Sequence, residues 1–268
     1  MADRFALRFL GVGNAKASEL GSAAAVLEIN GLPALLIDCG PRTLDDYTRY
    51  YGSSLPSAVF LTHLHLDHIG GVEQLFYRAY FADTGAIKLF VPAPLISALN
   101  EKLANSAFVL SEGGANFWDA FHLNPVGDKF WLKDLLFDAF PVRHSGYRGA
   151  YGLALGGAFF YSGDSRPIPE MIAQFANTYE IIFHDCALIG SPAHTGLADL
   201  EREYTADIVK RCIVYHYESA TAAVALEEAG LQVARPGQVF ELKLPRSPIG
   251  ASSQSASEKG VNLVSRSK

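Results

Sequence analysis

An α/β fold is what this sequence predicts, and three observations predict it. Short apolar or alternating runs closed by glycine, aspartate or histidine recur along the chain. Stretches with helical spacing of apolar residues follow several of them, and the side chains able to do chemistry gather where the runs end. RFALRFLG (4–11) and SAAAVLEING (22–31) are two such runs, and PALLIDCG (33–40) is a continuous buried one ending in Asp-Cys-Gly. They read as successive strands of one sheet, with an Asn30-Gly31 turn joining the last two. AVFLTH (58–63) is a further strand and GGVEQLFYRAYF (70–81) has helical spacing, which places the segment between them on a strand-to-helix loop. The stretch from 87 to 106 repeats strand then helix, with prolines at the junction. Residues 128–145 and 151–165 supply strands ending at His144 and Asp164, and 178–188 and 212–219 supply two more, with an amphipathic helix around LADLEREYTADIVKR between them. GGANFWDAFHLNP (113–125) interrupts the pattern; it suits aromatic packing under a loop better than a lid.

Composition narrows the function. A chain of 268 residues, 49% hydrophobic and 19% charged, can bury one substantial core. One domain over 1–244 is expected, with a Ser-rich disordered tail over 245–268. A formal net charge of −6 without a Lys/Arg run offers no broad basic surface for large nucleic acids, so a small substrate is expected. The three cysteines are odd in number and scattered, which suits a reducing cytoplasm. No signal-peptide core is present and no run approaches the roughly 18 apolar residues of a membrane span.

The ends of the strands carry the chemistry. HLHLDH (63–68) sets His63, His65, Asp67 and His68 within six positions, and His144, Asp164 and His216 fall at the ends of later runs. Alternation along a strand turns His63 and His65 the same way, and the following residues present Asp67 and His68 from another direction. So many buried imidazoles and carboxylates together are an electrostatic liability unless a cation binds them. Imidazole and carboxylate ligands suit zinc, manganese or iron, and no cysteine is grouped as in a structural zinc site. Seven ligands exceed the capacity of one tetrahedral ion, so a centre of two divalent ions is expected. His122 has no comparable context and reads as an ordinary structural histidine.

THLHLDHIGG matches the His-x-His-x-Asp-His signature of the metallo-beta-lactamase fold superfamily, and VRHSG, YSGDSRP and VYHYE follow in the order expected of it. The resemblance covers about residues 4–244. It implies a four-layer alpha-beta-beta-alpha sandwich with two metals, usually zinc, at one edge of the paired sheets. Carried over by motif, it implies that His63, His65 and His144 hold one metal, that Asp67, His68 and His216 hold the other, and that Asp164 bridges them. Asp38 would support the signature histidines from behind. FLGVGNA, IDCG, SGDS, FHDCAL and AHTG are similar to elements of the tRNase Z branch, with Asp185 where that branch carries glutamate. By that resemblance His194 acts near the leaving group and Asp185 orients it, and relatives often form homodimers.

The superfamily's fold does not choose the reaction. Bacterial short-form tRNase Z enzymes carry a long arm for tRNA between the third-motif histidine and the bridging aspartate. Here His144 and Asp164 are only 20 positions apart. A smaller phosphodiester, of the cyclic-nucleotide kind, therefore fits better than tRNA. In such a reaction Asp67 would hold the nucleophile's proton and His194 would protonate the leaving oxygen, with Arg143, Arg148 and Arg166 as candidate phosphate contacts. The alternatives are hydrolysis of a lactone, sulfate ester or thioester, tRNase Z-like processing of RNA 3′ ends, and a non-catalytic sensor, whose mark would be lost ligands; none of the seven is lost.

Overall fold

The computed structural model describes residues 3–82, 85–105, 113–176 and 180–243. The expected tail lies outside them. Among the described residues, two seven-stranded mixed sheets lie face to face with helices on their outer sides.

The first sheet grows from local pairings. β1 (Phe5–Gly11), β2 (Ala24–Ile29) and β3 (Leu32–Ile37) form an antiparallel meander. Asn30 and Gly31, at φ 55° and 78°, make the expected tight turn. β4 (Ala58–Phe60), β5 (Ile87–Pro92) and β6 (Phe121–Val126) then add in parallel. Parallel pairing requires crossover connections. α1 (Thr43–Tyr51) lies in the first, the one-turn α2 (Leu66–Ile69) and α3 (Val72–Ala82) in the second, and α4 (Ile96–Lys102) in the third.

The second sheet repeats this order. β7 (Lys129–Leu132), β8 (Leu135–Pro141), β9 (Tyr151–Leu155) and β10 (Phe159–Tyr161) are antiparallel neighbours. β11 (Ile181–Asp185), β12 (Cys212–Tyr215) and β13 (Gln232–Val233) continue in parallel from β10. α5 (Pro169–Phe175), α6 (Leu197–Glu203), α7 (Ala206–Arg211) and α8 (Ala220–Glu228) make the crossovers, and β14 (Val239–Leu242) returns to pair with β1 in the first sheet.

Aromatic side chains join the sheets. Phe9 lies against Tyr161, Phe183 and Tyr215, and Phe130 stacks on Phe60 and Phe90. These rings are buried and carry much of the core's apolar area. The helix expected over 197–211 is two helices, because Tyr204 turns inward: its hydroxyl accepts the Ile168 N–H at 2.7 Å and lies 2.7 Å from His184 Nε2. The stretch 113–125 holds a short 3-10 turn (Phe117–Asp119) and the start of edge strand β6, with Phe117 and Phe121 buried. His122 is exposed on that strand.

One close backbone approach positions the site. A Cβ at Gly40 would collide with the carbonyl oxygen of Asp67 and the side chain of Ser22, so only glycine lets the turn after β3 pack under the histidine-rich segment. Gly127, by contrast, has open space around it. Gly40→Ala should lower stability by about 1–3 kcal/mol, read as a lower urea midpoint at unchanged slope, whereas Gly127→Ala should stay within about 0.5 kcal/mol of wild type. Equal midpoints for the two variants would contradict the packing described.

Candidate metal centre

The site forms where strand ends of both sheets meet. Leu61, Thr62 and His63 continue beyond β4, and His63 bridges Ala150, directly before β9, while the Tyr151 N–H donates to the Thr62 carbonyl at 3.0 Å. His65 is extended (φ −72°, ψ 150°) and its carbonyl accepts the N–H groups of His68 and Ile69, which starts α2. The expected loop is therefore one turn of helix, and it turns Asp67 and His68 towards the centre. His144 follows β8, Asp164 follows β10, and His216 follows β12 at φ 67°. Asp38, after β3, is also left-handed at φ 61°. Such backbone is uncommon for residues with a Cβ and persists only where the surroundings hold it.

Seven side chains converge. His63, His65 and His144 form one set, and Asp67, His68, Asp164 and His216 a second, with donor atoms in each set within 4.8 Å of one another. Asp164 Oδ2 lies 3.1 Å from His68 Nε2, 3.2 Å from His216 Nε2, 3.6 Å from His63 Nε2 and 3.8 Å from His144 Nε2, which places it between the sets.

Hydrogen bonding fixes which nitrogen each ring offers. His68 Nδ1–H donates to Asp38 Oδ2 at 2.8 Å. Asp38 also accepts the N–H and hydroxyl of Thr62, both at 2.7 Å, which leaves the Thr62 oxygen to accept His63 Nδ1–H at 3.0 Å. His144 Nδ1–H donates to the Ala193 carbonyl at 2.9 Å, and His216 Nδ1 faces Asp185 Oδ1 at 3.4 Å. Four rings thus commit Nδ1 to an acceptor and turn Nε2 inward, as metal-ligating histidines do. His65 is the exception: it offers Nδ1, 2.9 Å from His144 Nε2.

The charges need a cation. His63 Nε2, His68 Nε2, His216 Nε2 and Asp164 Oδ1 are buried without a hydrogen-bond partner. Burial would raise the pKa of Asp164, but His216 and His68 outweigh it and hold the group well below the ordinary carboxylate range. Burial and the charge of His68 push His63 far down. Burial likewise lowers His65 and His144. Against burial, Asp164 and Asp38 hold His68 well up, and Asp164 with Asp185 raises His216 to about 10. Positive charge beside Asp164 must come from protons on His68 and His216 or from divalent cations that displace them. Inward nitrogens, a central carboxylate and imidazole-carboxylate chemistry fit a pair of divalent ions.

Beside the cluster opens a cavity of about 340 Å³, with Asp67 and His194 in its wall. His194 Nδ1–H donates to Asp185 Oδ2 at 2.8 Å, and the same oxygen accepts the Ser165 N–H at 2.9 Å. Asp185 is fully buried, yet the bonds from His194 and His216 outweigh that burial and lower its pKa. The structure does not bring the three arginines to this cavity. Arg143 pairs with Glu170 at 2.7 Å and donates to the Pro167 carbonyl. Arg148 is exposed near the Tyr147 ring, and Arg166 is locked on Asp199 and donates to the carbonyls of Ser191 and His194. Their position as neighbours of the motifs in sequence misled, because each of the three turns to partners outside the cavity. Sequence reasoning also passed over Thr62 and the Ala193 carbonyl; the threonine directly before the signature was the one signal for the former.

The family model described as Anti-Pycsar protein Apyc1 matches residues 5–240. A protein of that name from Paenibacillus xerothermodurans is 30% identical over 207 residues, 72% of this chain and 80% of the relative. Another from Saccharibacillus brassicae is 32% identical over 201 residues, 72% and 82% of the two chains. Among solved structures, the metallo-beta-lactamase fold protein YhfI from Bacillus subtilis superposes with a TM-score of 0.69 at 14% identity, covering 89% of this chain and 99% of its own. Human short-form tRNase Z gives 0.64 at 18% identity, covering 90% and 100%. The expected fold is thereby met.

Elemental analysis of metal-supplemented protein should find close to two divalent ions per chain, and the double variant Asp164→Ala/His68→Ala should lose at least one. Less than half an ion per wild-type chain would contradict a paired centre.

Proposed function

This chain belongs to the Anti-Pycsar protein Apyc1 family, and from that premise we propose how its centre works as a phosphodiesterase on cyclic nucleotides. It is a metal-dependent hydrolase of small cyclic phosphodiesters. The observation that carries this reading is that a family match spanning both sheets coincides with two adjacent sets of metal-ligating side chains, with Asp164 Oδ2 within 3.8 Å of histidine nitrogens from each.

His63, His65 and His144 would hold one ion, Asp67, His68 and His216 the other, and Asp164 would lie between, with Asp38 supporting from behind. Bound there, two divalent ions supply an activated water near neutral pH and polarise the phosphoryl oxygen. Zinc suits the donors best, with manganese or iron also compatible. Asp67, partly exposed on the cavity wall, accepts the attacking water's proton. Asp185 grips His194 through Nδ1, so Nε2 is the atom left to protonate the leaving oxygen. A cyclic substrate keeps its leaving oxygen tethered, so holding the ring in place orients both ends of the displacement.

The tRNase Z-like branch without a tRNA-gripping arm fits the segment between His144 and Asp164, which is a turn followed by the β9–β10 hairpin. The described segments contain no helix long and apolar enough to cross a membrane. A cytoplasmic setting is supported by three buried, unbridged cysteines. One domain over 1–244 and a homodimer complete the proposal, the latter on the resemblance alone.

Cyclic nucleotides should be turned over far faster than nitrocefin, acyl lactones or precursor tRNA at equal enzyme; preference for any of those would overturn the assignment. His194→Ala should keep both ions and slow hydrolysis of a ribose 3′-oxygen leaving group by roughly 10²- to 10⁴-fold. Bis(p-nitrophenyl) phosphate, whose leaving group needs little protonation, should suffer much less. Equal losses on both, with metal intact, would remove the acid role from His194.

A further inference from the structure

A phosphodiester is an anion, and the cavity it must enter presents the carboxylates of Asp67, Asp164 and Glu218. The arginines adjacent to the motifs are turned elsewhere, as shown above. Of the residues lining the cavity, Lys16 alone is a lysine or arginine.

Its backbone is held as closely as that of the ligands. The His216 N–H donates to the Val12 carbonyl at 2.7 Å, and two residues on the Asn14 N–H donates to the Tyr217 carbonyl at 3.3 Å. The Asn14 side chain accepts the Lys16 N–H at 3.0 Å and its carbonyl accepts the Ala17 N–H at 3.0 Å, closing a tight turn. Gly13 is wedged in this turn: a Cβ there would meet the carbonyls of Ala17 and Gly21. The turn after β1 is therefore fastened to the strand end that presents His216, and it carries Lys16 at the rim of the same cavity. Among the described residues, no carboxylate lies within ion-pair distance of the Lys16 ammonium.

We propose that Lys16 is a substrate-binding residue whose ammonium receives the phosphate of the incoming diester. This rests on the phosphodiesterase reading and deepens it. A lysine on a flexible stem acts as a point charge and not as a fixed fork. It attracts the anion and holds it at the rim, while alignment for attack is left to the centre. Its contribution is one of binding, screened by salt because the side chain is exposed.

The test compares metal-loaded full-length wild type with Lys16→Met and Lys16→Arg. It uses two readouts: steady-state kinetics on a cyclic nucleotide, and calorimetric binding of inorganic phosphate. Lys16→Met should raise KM and weaken phosphate binding, each by about 3- to 10-fold, with kcat within about twofold and metal content and Tm unchanged. The difference should shrink in about 1 M salt, and Lys16→Arg should recover most of it. Unchanged KM and phosphate affinity in Lys16→Met, or a loss confined to kcat, would overturn the proposal. If wild type hydrolyses no cyclic nucleotide, the functional reading fails while phosphate binding still decides the role of Lys16.

Discussion

A carboxylate almost sealed from water, with four imidazole nitrogens within 3.8 Å of one of its oxygens, cannot rest on burial alone. Asp164 is that group. Its charge has to be matched where it sits, and the surrounding chain is arranged to keep the matching groups in place. Asp38 and Thr62 orient His68 and His63 from the first sheet, while Ala193 and Asp185 orient His144 and His216 from the second. Because each outer partner occupies Nδ1, it is Nε2 of these four rings that faces the common space. The left-handed backbone at Asp38 and His216 shows that local conformational preference yields to this arrangement.

The loop from Ala187 to Gly196 touches two of the converging histidines. It supplies the carbonyl that orients His144 and, one residue later, the imidazole of His194. Arg166, two residues after Asp164, holds that loop through the carbonyls of Ser191 and His194 and through Asp199, which also accepts the Gly196 N–H at 3.0 Å. Thr195 fastens it again, its N–H and hydroxyl both donating to the Ser165 carbonyl. Asp185 completes the link by facing His194 with one oxygen and His216 with the other. His216 and His194 are in this way held by one carboxylate.

Much of this was legible in the sequence because the relevant signals are local. The apolar runs of β1 to β5 and β8 to β12, the Asn30-Gly31 turn and the order of His and Asp at strand ends all follow from short-range pattern. Less was legible where tertiary contacts decide. α1 draws its buried face from Leu44 and Tyr47 in a segment rich in charge. β13 and β14 are short and gain their place only by pairing with β12 and β1, the second from the far end of the chain. Tyr204 breaks a helix that amphipathic spacing would continue, since its hydroxyl satisfies a buried N–H. Neighbourhood in sequence put Arg143, Arg148 and Arg166 near a phosphate, although their partners lie outside the cavity. The same limit hid Lys16, whose turn reaches the site only through its hydrogen bonds to the distant His216 strand end.

Anomalous diffraction from crystals of metal-loaded protein, collected at the metal's absorption edge, should show two peaks per chain, one against His63, His65 and His144 and one against Asp67, His68 and His216, with Asp164 between them. A single peak, or peaks out of reach of Asp164, would contradict this arrangement.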